Sequence, residues 1–189
     1  MRIIRELSHL IVAILILVAA ANCNDPLQVG QANSVNTVDT VTLYALRGTG
    51  VIQPSGFDIP TNRAVRTDLS GFDFAFDIDA SGNAKLYPAG ALGLPKAPGI
   101  LISQQQFDEI TSAPSSGYID SLAIAANPDV VFIVRSRAIL TGCETTGQLP
   151  RYGKFRILSV DPVQRSVSIQ ALVDTNCGYR SLTPGIPTV

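Results

Sequence analysis

The chain of 189 residues carries 14 Lys or Arg against 15 Asp or Glu, a formal charge of −1, with one histidine, one methionine and three cysteines. The cations are scattered, which argues against nucleic acid as a partner, because polyanion binding is driven by clustered Lys and Arg. Met1 and His9 both fall in the first 22 residues. Once these are removed, nucleophilic systems with an imidazole base, and most zinc, non-haem iron and copper sites with imidazole ligands, are close to excluded.

Residues 1–22 contain Arg2 and Arg5, an apolar run from Leu10 to Val18, and Ala19-Ala20-Ala21. This is the charged, apolar and small-residue order of a secretory signal peptide. The run is too short to span a bilayer, which needs about 20 apolar residues, and the best later stretch is only Val130 to Val134. Removing it takes away Arg2, Arg5 and Glu6, and leaves 167 of the 189 residues with 12 basic and 14 acidic side chains. That is one domain's worth of chain. Cys23 follows at once, where bacterial lipoproteins carry the cysteine that is acylated, and lipidation of Cys23 is the reading adopted. Asn22 and Ala20 depart from the usual residues before such a cysteine, so ordinary cleavage after Ala19-Ala20-Ala21 stays open as the alternative. The expected address is the bacterial cell envelope, with the membrane as partner through a lipid anchor, periplasmic or at the cell surface, or the medium if Cys23 is not acylated.

Residues 23–38 follow the anchor as an aperiodic stretch rich in Asn, Asp, Gln and Ser, expected to be a flexible tether, and 39–189 is expected to be a single β-rich domain. Thr40 to Leu46 alternates as a strand, and 57–70 reads as irregular or a short edge strand. Gly71 to Asp79 places Phe72, Phe74, Phe76 and Ile78 at period two against Asp73, Ala75, Asp77 and Asp79, so one face should be buried and the other wet. Ala80-Ser81-Gly82-Asn83 supplies a hairpin turn, Ala84 to Tyr87 returns, and Ala89 to Gly99 is a loop. Ser103 to Ala113 opens with a capping-box pattern, Ser103 to Gln106, and predicts one short helix with Phe107 and Ile110 on its inner side. Val130 to Leu140, Lys154 to Val160 and Ser166 to Asp174 complete the set. The fold class is mostly β: an antiparallel β-sandwich or partly open barrel with one short helix. If the last three strands form a meander, Cys143 and Cys177 fall at the same end of the sheet and are expected to form a disulfide, which suits an exported protein.

Three constellations bear on chemistry. Asp77 to Gly82 imitates the start of a calcium loop, but position twelve is Pro88 where a bidentate Glu should close the cage, so a plain hairpin is the preferred reading and no metal is expected. Arg135 and Arg137 lie on one face of their strand and Lys154 and Arg156 on one face of the next. With Tyr152 they form a possible ligand-binding patch for a carboxylate or phosphate, near Arg151, Tyr179 and Arg180. The competing reading is a solvated face whose cations pair with Asp73, Asp77 and Asp79. Carboxylates could serve a glycosidase, but no pair is singled out and tryptophan is absent.

Two stretches, GFDFAFDI and VFIVRSR followed by YGKFRILSV, resemble the HmuY-type haem-carrier lipoproteins of bacteria over about a third of the chain. The resemblance implies a lipoprotein with a mostly β domain. That family holds haem through His or Met, which the chain after residue 22 lacks, so no ligand residue carries over and no cofactor is expected. The functional expectation is an exported lipoprotein whose non-catalytic, disulfide-stapled domain binds an unknown small ligand or envelope protein. A haemophore-like carrier and a carboxylate-based hydrolase are the alternatives.

Overall fold

The computed structural model describes residues 31–94, 98–138 and 149–187. Among the described residues there are ten strands: β1 (Val38–Tyr44), β2 (Gly56–Asp58), β3 (Arg63–Val65), β4 (Phe74–Ile78), β5 (Ala84–Pro88), β6 (Gly99–Ser103), β7 (Ile124–Ala125), β8 (Val131–Arg135), β9 (Tyr152–Asp161) and β10 (Ser166–Asp174). They form two five-stranded antiparallel sheets, ordered β1-β10-β9-β8-β6 and β3-β2-β4-β5-β7, and neither closes into a barrel. Of the two architectures expected, the chain adopts the sandwich. No helix among the described residues is long and apolar enough to cross a membrane.

The core follows from period-two patterning. In β10, Val167, Ile169, Ala171 and Val173 face the second sheet; in β4, Phe74, Phe76 and Ile78 face the first. Four rings cross the gap, Phe57 and Phe74 from one sheet and Phe132 and Phe155 from the other. Phe74 meets Phe155 edge-on at 5.2 Å and Phe132 at 5.7 Å between centroids, and Phe132 stacks on Phe155 at 5.2 Å. Such contacts add to area burial because the ring edge is positive and the face negative. Gly153 makes room for them, since a Cβ there would lie 2.9 Å from the Phe155 ring and from Val173.

Strands β8, β9 and β10 do form the expected meander, with Arg135 opposite Tyr152 and Tyr152 opposite Asp174 at one end, and Ser166 opposite Asp161 at the other. Asp161 sets the β9–β10 turn by accepting the N–H groups of Val163 and Gln164. The hairpin at 79–83 is likewise held by Asp79, which accepts the N–H groups of Ser81 and Asn83 at 2.9 Å each.

Two expectations are corrected. The helix over Ser103 to Ala113 does not form: Ser103 ends β6, and only Phe107–Glu109 makes a 3-10 turn, with its capping box between Gln106 and Glu109. Beyond Ile110 the backbone is diverted into pairing with the C-terminal segment, Ala113 N–H donating to Arg180 O and Leu182 N–H to Thr111 O at 2.8 Å. The second correction concerns the face of β4 that carries Asp73, Ala75 and Asp77. It is dry, with Asp73 0 % and Asp77 1 % exposed. The loop after β1 covers it: Arg47 gives Asp77 its backbone N–H at 3.1 Å and its Nε at 2.6 Å. Phe72, ahead of the strand proper, packs with Ala75 and Ala89 on this second face rather than in the main core.

The stretch expected as a tether is bonded to the domain over its described part. Ala32 N–H donates to the Tyr179 hydroxyl, Asn33 and Ser34 N–H donate to Asn176 Oδ1, and Asn36 pairs with Gly185. Among the described residues, hydrogen bonds to the domain reach back to Ala32.

Because Phe74 touches three of the other rings through the aromatic cluster, Phe74→Ala should cost about 3 to 5 kcal/mol in denaturant unfolding. A loss below about 1 kcal/mol would show that the two sheets do not depend on this contact.

Candidate functional site

The five residues expected to form one binding patch are distributed over three environments. Arg135, Tyr152, Lys154 and Arg156 do share the outer face of the first sheet, Arg135 opposite Tyr152 and Ile133 opposite Lys154 in register. Arg137 does not join them.

Lys154 is 2 % exposed. Its ammonium donates to the carbonyls of Phe107 and Ile110 at 2.8 and 2.9 Å and sits 4.5 Å over the Phe107 ring. Burial pushes its pKa down, partly opposed by Asp108. Both carbonyls would accept helical N–H groups if the helix had continued, so Lys154 holds the segment in the turn it adopts. Arg156 is half-buried opposite Val131 and Gln170, and its Nε has no hydrogen-bond partner among the described residues.

Arg135 lies 5.0 Å over the ring of Tyr118, a residue that sequence reasoning passed over because it stands in an aperiodic loop. Tyr118 lies 6.2 Å from Tyr152, and Arg180 lies 5.8 Å from Tyr152. Tyr118 reaches the sheet because Gly99 has no side chain; a Cβ there would be 2.5 Å from Tyr118 Cβ. Its hydroxyl donates to Pro114 O at 2.9 Å, and burial, with Tyr152 nearby, raises its pKa. An arginine on an aromatic face keeps its edge donors available for an anion.

Arg137 ties the two sheets together at the end where the N-terminal segment enters. Its Nη2 meets Asp58 Oδ1 at 2.6 Å, its Nη1 meets Asp73 Oδ1 at 3.1 Å, and its backbone N–H donates to the same oxygen at 2.8 Å. Asp73 Oδ2 accepts Ile59 N–H and Asp58 Oδ2 accepts the Thr61 hydroxyl. The pairing of a cation with Asp73 is the competing reading of the patch. Asp77 pairs instead with Arg47, and Asp79 with Lys85 at 2.9 Å, which holds the Asp79 carboxyl well below the usual range. The residues that imitate a calcium loop are thus spent on their own hairpin and its cations. Among the described residues no group of three His, Cys, Asp or Glu is gathered as metal ligands.

Near the N-terminal segment, Arg151 is buried and donates to Pro60 O and Ser136 Oγ, with Nη2 3.5 Å from Cys177 Sγ. Cys23 and Cys143 lie outside the described residues.

A cleft of about 620 Å³ opens at the opposite end, lined among others by Asn83, Lys85, Ala123, Ala125, Asn127 and Pro162. Its position follows from register. Ala84 pairs with Ile78 and Ser166 with Asp161 at this end, whereas Val38 enters opposite Leu172 at the other. Among the described residues the cleft lining carries no carboxylate. Nothing in the sequence pattern marks it, because its walls come from stretches around 83, 125 and 161 that meet only on folding.

No family model, no curated protein and no solved structure matches this chain. A haem-carrier reading accordingly rests on the two resembling stretches alone.

Asp73 offers a direct test of this electrostatics. Burial pushes its carboxyl up to about 6, against the opposing pull of Arg137. The folded pKa lies above the unfolded value of about 4, so Asp73 contributes stability in its protonated form below about pH 4, and this is lost as pH rises through 6. Carbon NMR should place the Asp73 midpoint near pH 6. Relative to wild type, Asp73→Asn should gain about 3 kcal/mol between pH 4 and 7, and a midpoint near 4 with a pH-independent difference would contradict the assignment.

Proposed function

We propose that the chain is an exported bacterial lipoprotein, anchored through acylated Cys23, whose non-catalytic β-sandwich presents the cleft beside Asn83 and Ala125 to a small ligand or an envelope protein. The observation that carries this reading is the polarity of the sandwich. The chain enters at the end built from Asp174, Tyr152 and Arg135, and the cleft opens at the other. A domain held from its entry end keeps the far cleft away from the membrane and free to engage a partner. Clefts that bind ligands are concave and mostly apolar with a few placed polar groups, and Asn83, Lys85 and Asn127 among alanines fit that description.

A Cys143–Cys177 bridge belongs to the same proposal. Cys177 follows β10 at the entry end, and β8 runs toward that same end before the chain continues to Cys143. The two residues stand 34 apart in sequence, so the bond removes chain entropy from the unfolded state.

Metabolic labelling with a fatty-acid analogue should tag wild type and miss Cys23→Ala, and a photo-crosslinker at Ala125 should yield a discrete adduct in cells that one at Thr40 does not. Equal labelling of both proteins sinks the anchor, and equal adducts or none sink the cleft. For the bridge, alkylation of unfolded, unreduced protein should find neither Cys143 nor Cys177, and reduction should lower stability by about 2 to 4 kcal/mol. Free thiols at both positions before reduction would refute it.

A further inference from the structure

The two ends of the sandwich treat their cations differently. At the cleft end Arg47 and Arg165 both reach Asp77, at 2.5 and 3.9 Å, and Lys85 reaches Asp79. At the entry end Arg137 is paired, but Arg135 and Arg180, both half-buried, have no carboxylate within 4.0 Å among the described residues. Their guanidinium groups lie on tyrosine rings instead, so that Arg135, Tyr118, Tyr152 and Arg180 form one continuous row. The row is braced. Tyr118 is seated on Gly99 and bonded to Pro114 O, while Arg180 donates from Nε and Nη2 to Ala113 O and accepts Ala113 N–H on its own carbonyl. Among the described residues the Arg135 side chain makes no hydrogen bond, so its planar fork of donors is open to an acceptor there, and such a fork matches a phosphate. Tyr118, half-buried and with an apolar body and a polar tip, suits the boundary between lipid and water, and the buried Tyr152 packs beside it.

Position names the acceptor. Ala32 is hydrogen-bonded to Tyr179, the chain neighbour of Arg180. Nine residues separate Cys23 from Ala32, and nine residues reach at most about 32 Å. An acylated Cys23 therefore keeps this end of the domain within about 3 nm of the membrane surface, where lipid phosphates are the abundant anions.

We propose that the Arg135–Tyr118–Tyr152–Arg180 row is a docking site for the phosphate of an anionic lipid headgroup, seating the entry end of the domain on the membrane. The lipid anchor proposed above delivers the row to the surface; the row's own affinity does not require acylation, which lets the two ideas fail separately.

The test is co-sedimentation of the mature chain from residue 23, carrying Cys23→Ala, with vesicles of phosphatidylcholine alone or mixed with phosphatidylglycerol. The chain should sediment with the mixed vesicles only. Arg135→Gln/Arg180→Gln should weaken that binding about 25-fold, about fivefold for each arginine, while Arg66→Gln/Arg165→Gln, outside the row and the cleft, leaves it unchanged. Circular dichroism checks that each variant is folded. If the first double variant unfolds, Arg135→Gln alone carries the test with a loss of about fivefold. No binding to mixed vesicles, equal binding to both kinds, or equal loss in the two double variants overturns the proposal. Loss of binding to inorganic phosphate at constant ionic strength overturns it too, by making the row a site for the free anion. Row-dependent binding with an unlabelled Cys23 would sink the anchor and keep the row, and a labelled Cys23 without vesicle binding would do the reverse.

Discussion

Four phenylalanine rings, two from each sheet, set the architecture. Phe57 and Phe74 meet Phe132 and Phe155 at centroid distances between 5.2 and 5.7 Å, inside the main core between the sheets. Once the inner faces are committed to each other, the polar side chains have only the outer faces and the two ends to occupy. Burying such rings in close contact offsets the backbone entropy lost on folding, and the tolerance for error is small because interiors pack as densely as crystals.

The outer faces are not simply wet. On the second sheet, Asp73 and Asp77 lie within the protein and are held by Arg137, Arg47 and backbone N–H groups. On the first sheet, Lys154 is roofed by the Phe107 turn and satisfies two of its carbonyls. In each case a loop has been folded over a charge, and the charge holds the loop down. An unpaired charge in such a place would be costly, so each is matched by acceptors or donors that come from remote parts of the chain.

This arrangement separates the ends. The cleft end spends its cations on Asp77 and Asp79, which fix the turns around the cleft. The entry end leaves Arg135 and Arg180 on tyrosines and gathers the N-terminal segment, Asn176 and Tyr179. A domain polarised in this way has one end suited to a surface and one suited to a partner, and the proposals above assign them in that order.

The strands were legible in the sequence because alternation is a local property: Phe74, Phe76 and Ile78, or Val167, Ile169 and Ala171, face the core in the register their spacing implies. Within the meander, the β9–β10 hairpin was legible from its short connection and the turn residues Asp161-Pro162. The fate of the polar residues was not legible, because it depends on what lands on top of them. Asp73 and Asp77 look solvated until Arg137 and Arg47 arrive from 64 and 30 residues away. Ser103 to Ala113 has the composition of a helix, yet Lys154 takes its carbonyls and the C-terminal segment takes its backbone. Lys154 and Arg137, read as neighbours in one patch, are drawn to different acceptors, and Tyr118 and the cleft carry no periodic signal at all. Period and turn chemistry decided the sheets; desolvation of each charge, settled only by tertiary contact, decided where each charge is held and what it pairs with.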